Sequence, residues 1–124
     1  MIAIVTDSTV GYSSAELAAR GIVSTVPVNY QIGSETFEEN ASDRNGVFLP
    51  RMVGKPCKTA QPALGNFIRT FQSLTEKGCD VICIVLSAAL SGTYSSACFA
   101  AQQVGGNIRV IDSETIGAGM HLLV

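Results

Sequence analysis

Two hydroxyl side chains flank a glycine at a point where a strand pattern gives way to a helical one, in the stretch Ser91-Gly92-Thr93. The apolar run at residues 82–86 precedes them, and helical spacing follows. A helix N-terminus carries unpaired N–H groups and about half a positive charge, so it favours a negatively charged ligand. Gly92 would let that ligand approach the backbone closely. The stretch is therefore a candidate anion site, although a serine that caps its own helix explains it equally well.

A second candidate set is Lys58-Thr59-Ala60-Gln61-Pro62, which offers a hydroxyl and an amide just before a predicted helix. Proline suits the first helical position because the N–H that it lacks would have no partner there. Thr59 can face the same edge of the sheet as Ser91 if this loop folds over it. An ordinary turn residue is the alternative interpretation of Thr59.

A third set follows the first predicted strand, where Asp7 and Ser8 stand together. A carboxylate repels an anionic ligand, but it can accept hydrogen bonds from backbone N–H groups of nearby loops. We therefore expect Asp7 to organise loops, and the same applies to Asp112 before Ser113.

Other kinds of site receive little support from the residues. The P-loop lysine and the glycine spacing of dinucleotide-binding proteins are missing, and the four cysteines and the single histidine, His121, show no metal-ligand spacing. A transferase or hydrolase with Ser91 as nucleophile would need a base, for which only His121 or a carboxylate is on offer. The sequence therefore favours a binding protein that uses no metal or cofactor.

Predicted strands and helices alternate along the chain, which indicates an α/β fold with a parallel sheet. In such sheets ligands bind beyond the carboxyl ends of the strands, which places residues 7–9, 87–93 and 112–113 along one edge. The predicted strands cover residues 1–6, 22–32, 35–37, 80–86 and 107–112, with a hairpin turn at 33–34. The predicted helices cover residues 13–20, 42–53, 62–77 and 91–104, and a last one begins at 115.

The composition suits one domain of 124 residues, with 47% hydrophobic and 15% charged residues. A net charge of −2 argues against a nucleic-acid partner. No apolar stretch reaches the roughly 18 residues of a membrane span, and no signal peptide is evident, so we expect a cytoplasmic, reduced protein. The apolar pattern at residues 120–124 suggests that the chain is part of a longer one.

Five motifs, in order along nearly the whole chain, resemble those of the DegV family, which includes the fatty-acid-binding subunits of bacterial fatty acid kinase. They are Ile4-Val5-Thr6-Asp7-Ser8, Val26-Pro27-Val28, Lys58-Thr59-Ala60-Gln61-Pro62, Leu90-Ser91-Gly92-Thr93-Tyr94 with Ser96-Ala97, and Val110-Ile111-Asp112-Ser113.

The resemblance implies that residues 1–124 form a Rossmann-like N-terminal α/β domain with helices on both faces of its sheet. It implies a long-chain fatty acid with a buried tail and with its carboxylate held by the hydroxyls of Thr59 and Ser91. Gly92, Thr93, Gln61, Asp7 and Ser8 would support them. The binder would present the acid to a separate kinase subunit and would not itself be an enzyme.

The chain departs from the family pattern at Ala60 and Ala63, which stand where the family has serines. We also expect this chain to lack the family's second domain, which by the resemblance would form the other tunnel wall. We therefore expect an exposed apolar rim at residues 88–90 and 122–124, and a chain that forms a homodimer, binds lipid weakly or is a fragment. A self-association module, or a fragment that no longer binds lipid, stays an alternative. Acyl-chain length is not specified by the sequence.

Overall fold

The computed structural model describes residues 1–39 and 48–124. The strands are β1 Ile2–Asp7, β2 Val23–Val26, β3 Asn29–Ile32, β4 Glu35–Glu38, β5 Cys57–Ala60, β6 Asp80–Val85 and β7 Ile108–Asp112. The helices are α1 Ser14–Arg20, α2 Phe48–Met52, α3 Leu64–Thr75, α4 Thr93–Val104 and α5 Ala118–Leu123, and a 3₁₀ turn covers Ser8–Val10.

Four strands form a parallel sheet in the order β2-β1-β6-β7, which we call the main sheet. Its central strands are rich in Val and Ile, as is usual for parallel strands covered on both faces. In the register of β1 and β6, Val5 lies opposite Cys83, and both are fully buried. The predicted α/β class with a parallel sheet is confirmed.

Helices cover both faces of the main sheet, as predicted. On one face, Phe67 and Phe71 of α3 and Ala97 of α4 pack against Val5 and Val85. On the other face, the buried residues come from the loop before α1, from the strands and from α5, and they include Val10, Tyr12, Ile84, Leu86 and Met120.

A second, antiparallel sheet of three strands, in the order β4-β3-β5, stands apart from the main sheet, and we call it the small sheet. The predicted single strand at residues 22–32 is divided, since β2 belongs to the main sheet and β3 to the small one. Pro27, which cannot donate a backbone hydrogen bond, lies between them. The predicted hairpin turn is confirmed, with Gly33 at a φ of 61°. β5 completes the sheet by pairing with β3.

Helix boundaries largely follow the sequence signals. The Ser13 hydroxyl accepts from the backbone N–H of Glu16, and the Glu16 carboxylate accepts from the backbone N–H of Ser13, so the two residues form a capping box at the start of α1. Gly21 ends this helix. The predicted helix start at Ser42 lies outside the described residues, and helical residues are described from Phe48. Over the described ranges, every helix is too short or too polar to cross a bilayer.

Candidate functional site

The carboxyl ends of β1 and β6 are joined by the buried side chain of Asp7. Its Oδ1 accepts from the backbone N–H of Thr9 at 2.9 Å, and its Oδ2 accepts from the backbone N–H of Leu86 at 2.8 Å. Asp112, at the end of β7, makes a similar contact, since its Oδ1 accepts from the backbone N–H of Ala88 in the loop after β6. Both carboxylates therefore accept a backbone hydrogen bond from the loop that follows β6.

The Ser8 hydroxyl links the end of β1 to the start of the small sheet. It donates to Glu39 Oε2 at 2.6 Å and accepts from the backbone N–H of Val28 at 2.9 Å. The two contacts reach across 31 and 20 residues of sequence. Ser8 therefore fixes where the small sheet stands relative to the main sheet.

The turn before α4 differs in detail from the sequence-based prediction. Gly92, and not Ser91 or Thr93, occupies the N-cap position, and no side chain caps the helix. Ser91 stands one residue earlier, where its Oγ accepts from the Thr93 N–H at 3.2 Å and lies 2.9 Å from Thr93 Oγ1. Because Thr93 is fully buried, it holds the half-buried Ser91 hydroxyl in a defined position at the helix start.

Gln61 connects the loop after β5 to this turn. Its Nε2 donates to Ser96 Oγ at 2.8 Å, and its Oε1 lies so close above Gly92 that a Cβ there would collide with it. The space that the sequence suggested for a ligand at Gly92 is therefore filled by the Gln61 amide. Any larger residue at position 92 would displace this amide, and Gln61 connects the Thr59 strand to the Ser91 turn.

Thr59 lies on β5 directly opposite Tyr30 of β3, which in turn lies opposite Phe37 of β4. The rings of Tyr30 and Phe37 stack with centroids 5.3 Å apart. Because side chains alternate along strands, Tyr30 and Ile32 of β3 share one face of the small sheet with Thr59 and Cys57 of β5.

That face lines a cavity of about 500 Å³ between the small sheet and the end of β1. Its lining residues are Thr9, Val28, Tyr30, Gln31, Ile32, Glu39, Met52, Cys57, Lys58 and Thr59. Thr59 is exposed, and it borders a space that is lined largely by apolar groups. Ser91 is not among the lining residues, so the two predicted head-binding hydroxyls are connected through Gln61 and do not share one cavity wall.

Sequence reasoning missed most of the cavity residues, among them Tyr30, Met52 and Cys57. A signal for part of the wall was present, since Val28, Tyr30 and Ile32 alternate with polar residues as one face of a strand does. Met52 comes from a distant helix, and its position depends on packing that no local pattern reveals.

Two further titratable groups, Cys83 and His121, are not among the residues that line the cavity. Burial and the nearby Asp7 carboxylate raise the pKa of the Cys83 thiol, so it stays protonated in the core. The chain's single histidine, His121, lies on α5, where its ring packs 4.3 Å from Tyr12 and its Nε2 is 4.0 Å from Glu16 Oε1.

Apolar side chains are exposed where the sequence predicted a rim. Ala88 and Ala89 are exposed, Leu90 is 66% exposed, and on α5 Leu122 and Leu123 are 86% and 56% exposed. Val124 is half-buried.

The family model described as "Uncharacterised protein, DegV family" matches residues 1–124. The chain belongs to the DegV family. It is 36% identical over 118 residues to the "DegV domain-containing 15.5 kDa protein" of Staphylococcus aureus, covering 94% of this chain and 84% of that protein. A longer DegV domain-containing protein of the same species is matched at the same identity, but over only 42% of its length. The chain thus spans less than half of the longer relatives.

Solved DegV structures share the fold. A stearic acid-binding protein from Eubacterium ventriosum has a TM-score of 0.90 at 29% identity, over 99% of this chain and 45% of that one. DegV from Bacillus subtilis, described as a fatty acid binding protein, has a TM-score of 0.81 at 30% identity, over 98% and 44%. The Streptococcus pneumoniae Fatty Acid Kinase (Fak) B3 protein, loaded with linoleic acid, has a TM-score of 0.81 at 23% identity, over 99% and 46%. At 23% identity, the similarity to the Fak B3 protein shows a shared fold alone.

Proposed function

We propose that residues 1–124 form the N-terminal domain of a fatty-acid-binding protein and hold a long-chain fatty acid along the small sheet. The observation that carries the proposal is the cavity of about 500 Å³ that opens at Thr59. The related proteins from E. ventriosum and B. subtilis, which are described as binding fatty acids, support the same ligand class.

The acyl tail supplies the affinity in this proposal. Each buried methylene contributes about 0.8 kcal/mol, so a long tail contributes on the order of 10 kcal/mol before the cost of association. Val28, Ile32 and Met52 offer the apolar contacts for its first part. The far part of the tail would lie against a surface that the described residues do not supply.

The carboxylate is oriented by the hydroxyls of Thr59 and Ser91. Hydrogen bonds to a charged group contribute about 1.5–3 kcal/mol each, enough to orient the head without dominating the affinity. Ser91 is suited to this role because Thr93 holds its hydroxyl at the positive end of α4. Asp7, Ser8, Gln61 and Gly92 act by positioning the loops.

We further propose that the chain presents the bound fatty acid to a kinase partner. Neutral hydroxyls leave a carboxylate more reactive than a guanidinium pair would, which suits an acid that is handed to a phosphorylating enzyme. The chain is then a carrier, and the phosphoryl transfer takes place on the partner. The motifs shared with the binding subunits of fatty acid kinases support this partner.

Native mass spectrometry after incubation with stearate tests the proposal. We expect one fatty acid per chain, with occupancy strongly reduced in the double variant Thr59→Val/Ser91→Ala. The matched control, Thr36→Val/Ser95→Ala, alters two exposed hydroxyls of β4 and α4 and should bind as the parent does. A tight lipid-free dimer that takes up no stearate would contradict the proposal and favour a self-association module formed through the exposed apolar rim.

A further inference from the structure

A basic and apolar turn projects beside the cavity, and Met52 is the one residue of this turn to which the proposed function gives a role. It joins α2 to β5 and has the sequence Arg51-Met52-Val53-Gly54-Lys55-Pro56-Cys57-Lys58. This octapeptide, which we call the basic turn, holds three of the eight basic residues of a chain with a net charge of −2, and it contains no acidic residue.

Every residue of the basic turn is exposed, and Val53 at its tip is 80% exposed. The turn is nevertheless held in place. The Lys55 N–H donates to Met52 O at 3.2 Å, Gly54 adopts a φ of 70°, and the Gly33 N–H donates to Pro56 O at 2.9 Å. An apolar side chain is thus presented to solvent by an ordered backbone.

Arg51 and Lys55 flank that tip in the sequence, two residues to either side of Val53. The Arg51 guanidinium lies 5.9 Å from the centroid of the Phe37 ring, and Lys55 lines the same recess of about 470 Å³. Glu35 also lines this recess and Glu39 lines the cavity, so two acidic groups face the turn from the small sheet and its end. The turn keeps an excess of one positive charge over these neighbours.

We propose that the basic turn docks on the surface of a bilayer that contains anionic phospholipids. Exposed apolar residues flanked by Lys and Arg are the combination that binds such an interface, because the apolar tip enters the headgroup region while the cations meet lipid phosphates. An acidic protein partner would account for the cations but would leave Val53 without a role.

The basic turn is continuous with the cavity. Met52, Cys57 and Lys58 belong to the turn and also line the cavity, and Met52 is still 39% exposed. Docking through this turn would therefore place the mouth of the cavity at the membrane, where fatty acids partition. This last consequence rests on the proposed function, whereas docking itself does not.

The absence of tryptophan from the chain makes the test direct. In Val53→Trp the new indole is the sole tryptophan, and its emission should shift to the blue on mixing with vesicles of phosphatidylcholine and phosphatidylglycerol. The shift should be lost with phosphatidylcholine alone and weakened by high salt. Adding Lys55→Gln to Val53→Trp should weaken vesicle binding about fivefold.

Leu122→Trp is the matched control, since Leu122 on α5 is 86% exposed and lies outside the basic turn. Its emission should stay unchanged with the same vesicles. A shift in both variants, in neither, or equally with neutral vesicles would overturn the proposal. Vesicles free of fatty acid are used throughout, and Thr59→Val/Ser91→Ala should dock normally on them, so docking and fatty-acid binding can fail independently.

Discussion

At the end of the main sheet the polar side chains bind their own backbone, whereas along β5 they face an open cavity. Asp7 is fully buried and accepts backbone hydrogen bonds from Thr9 and Leu86. Thr59 is exposed on a strand that also carries the cavity residues Cys57 and Lys58. Polar side chains thus build a frame in one region, and in the other they line the proposed binding surface. Substitutions should separate the two, with stability lost from the frame and affinity from the surface.

The largest predicted difference concerns thiol reactivity. Cys57 is exposed, whereas Cys83 is buried and its pKa is raised by burial and by Asp7, so both access and thiolate formation are lost at Cys83. We expect an alkylating reagent to label Cys57 more than about a thousandfold faster, since Cys83 reacts only after global unfolding. Peptide mass spectrometry measures both rates. Comparable rates would mean that the region near Asp7 opens as readily as the cavity wall.

Next in size is the loss of the Asp7 carboxylate. Asp7→Ala leaves the N–H groups of Thr9 and Leu86 without their partner in a buried place, and it should lower the free energy of unfolding by about 3 kcal/mol. Urea denaturation measures the change. Thr59→Val serves as the comparison and should change stability by less than about 0.5 kcal/mol, because Thr59 is exposed. An equal loss of unfolding free energy in both variants would contradict the proposed difference, in which Asp7 stabilises the fold and Thr59 does not.

A smaller effect is predicted where the two regions meet. Gly92→Ala introduces a Cβ that collides with the Gln61 amide, so the hydrogen bond from Gln61 to Ser96 is lost. The backbone itself tolerates alanine, because its φ at this position is −72°. We expect a several-fold loss of fatty-acid affinity with little change in stability, measured by displacement of a fluorescent fatty acid. Gln61→Ala should have the same effect, and combining the two should add nothing. Additive losses would show that Gln61 does not transmit the effect of Gly92.

The smallest predicted effect is a gain in stability. The Thr6 hydroxyl is buried in β1 and has no hydrogen-bond partner within the described residues. Thr6→Val removes this unsatisfied group at nearly constant volume and should raise the free energy of unfolding by about 1 kcal/mol. Thermal and urea unfolding provide the measurement. A loss of stability would indicate that the hydroxyl is satisfied in solution, for example by a buried water.

The sequence predicted the main sheet well because its signals are local. Continuous apolar runs gave the strands at Ile2–Asp7 and Asp80–Val85, and the Ser13 and Gly21 signals placed α1. The loop-organising behaviour of Asp7 was also foreseeable, since a carboxylate after a buried strand is surrounded by N–H groups that need acceptors.

The small sheet was harder to foresee because it depends on contacts distant in sequence. β5 pairs with β3 across about 25 residues, a pairing that the sequence alone did not indicate. The position of Gln61 above Gly92 likewise depends on two loops meeting. Thr59 and Ser91 were candidates by residue type and position, whereas their role in holding a carboxylate came from the family resemblance and stays a prediction.

In the proposed function, Thr59 and Ser91 recognise the carboxylate at the end of an acyl chain. The most direct test compares the affinities for palmitate and for hexadecanol, which share the tail and differ in the head. We predict that the parent chain prefers palmitate and that Thr59→Val/Ser91→Ala binds both with similar affinity, having lost the head contacts but kept the cavity. A preference for palmitate that survives in the double variant would contradict the account and would place the head elsewhere, for instance at Lys58.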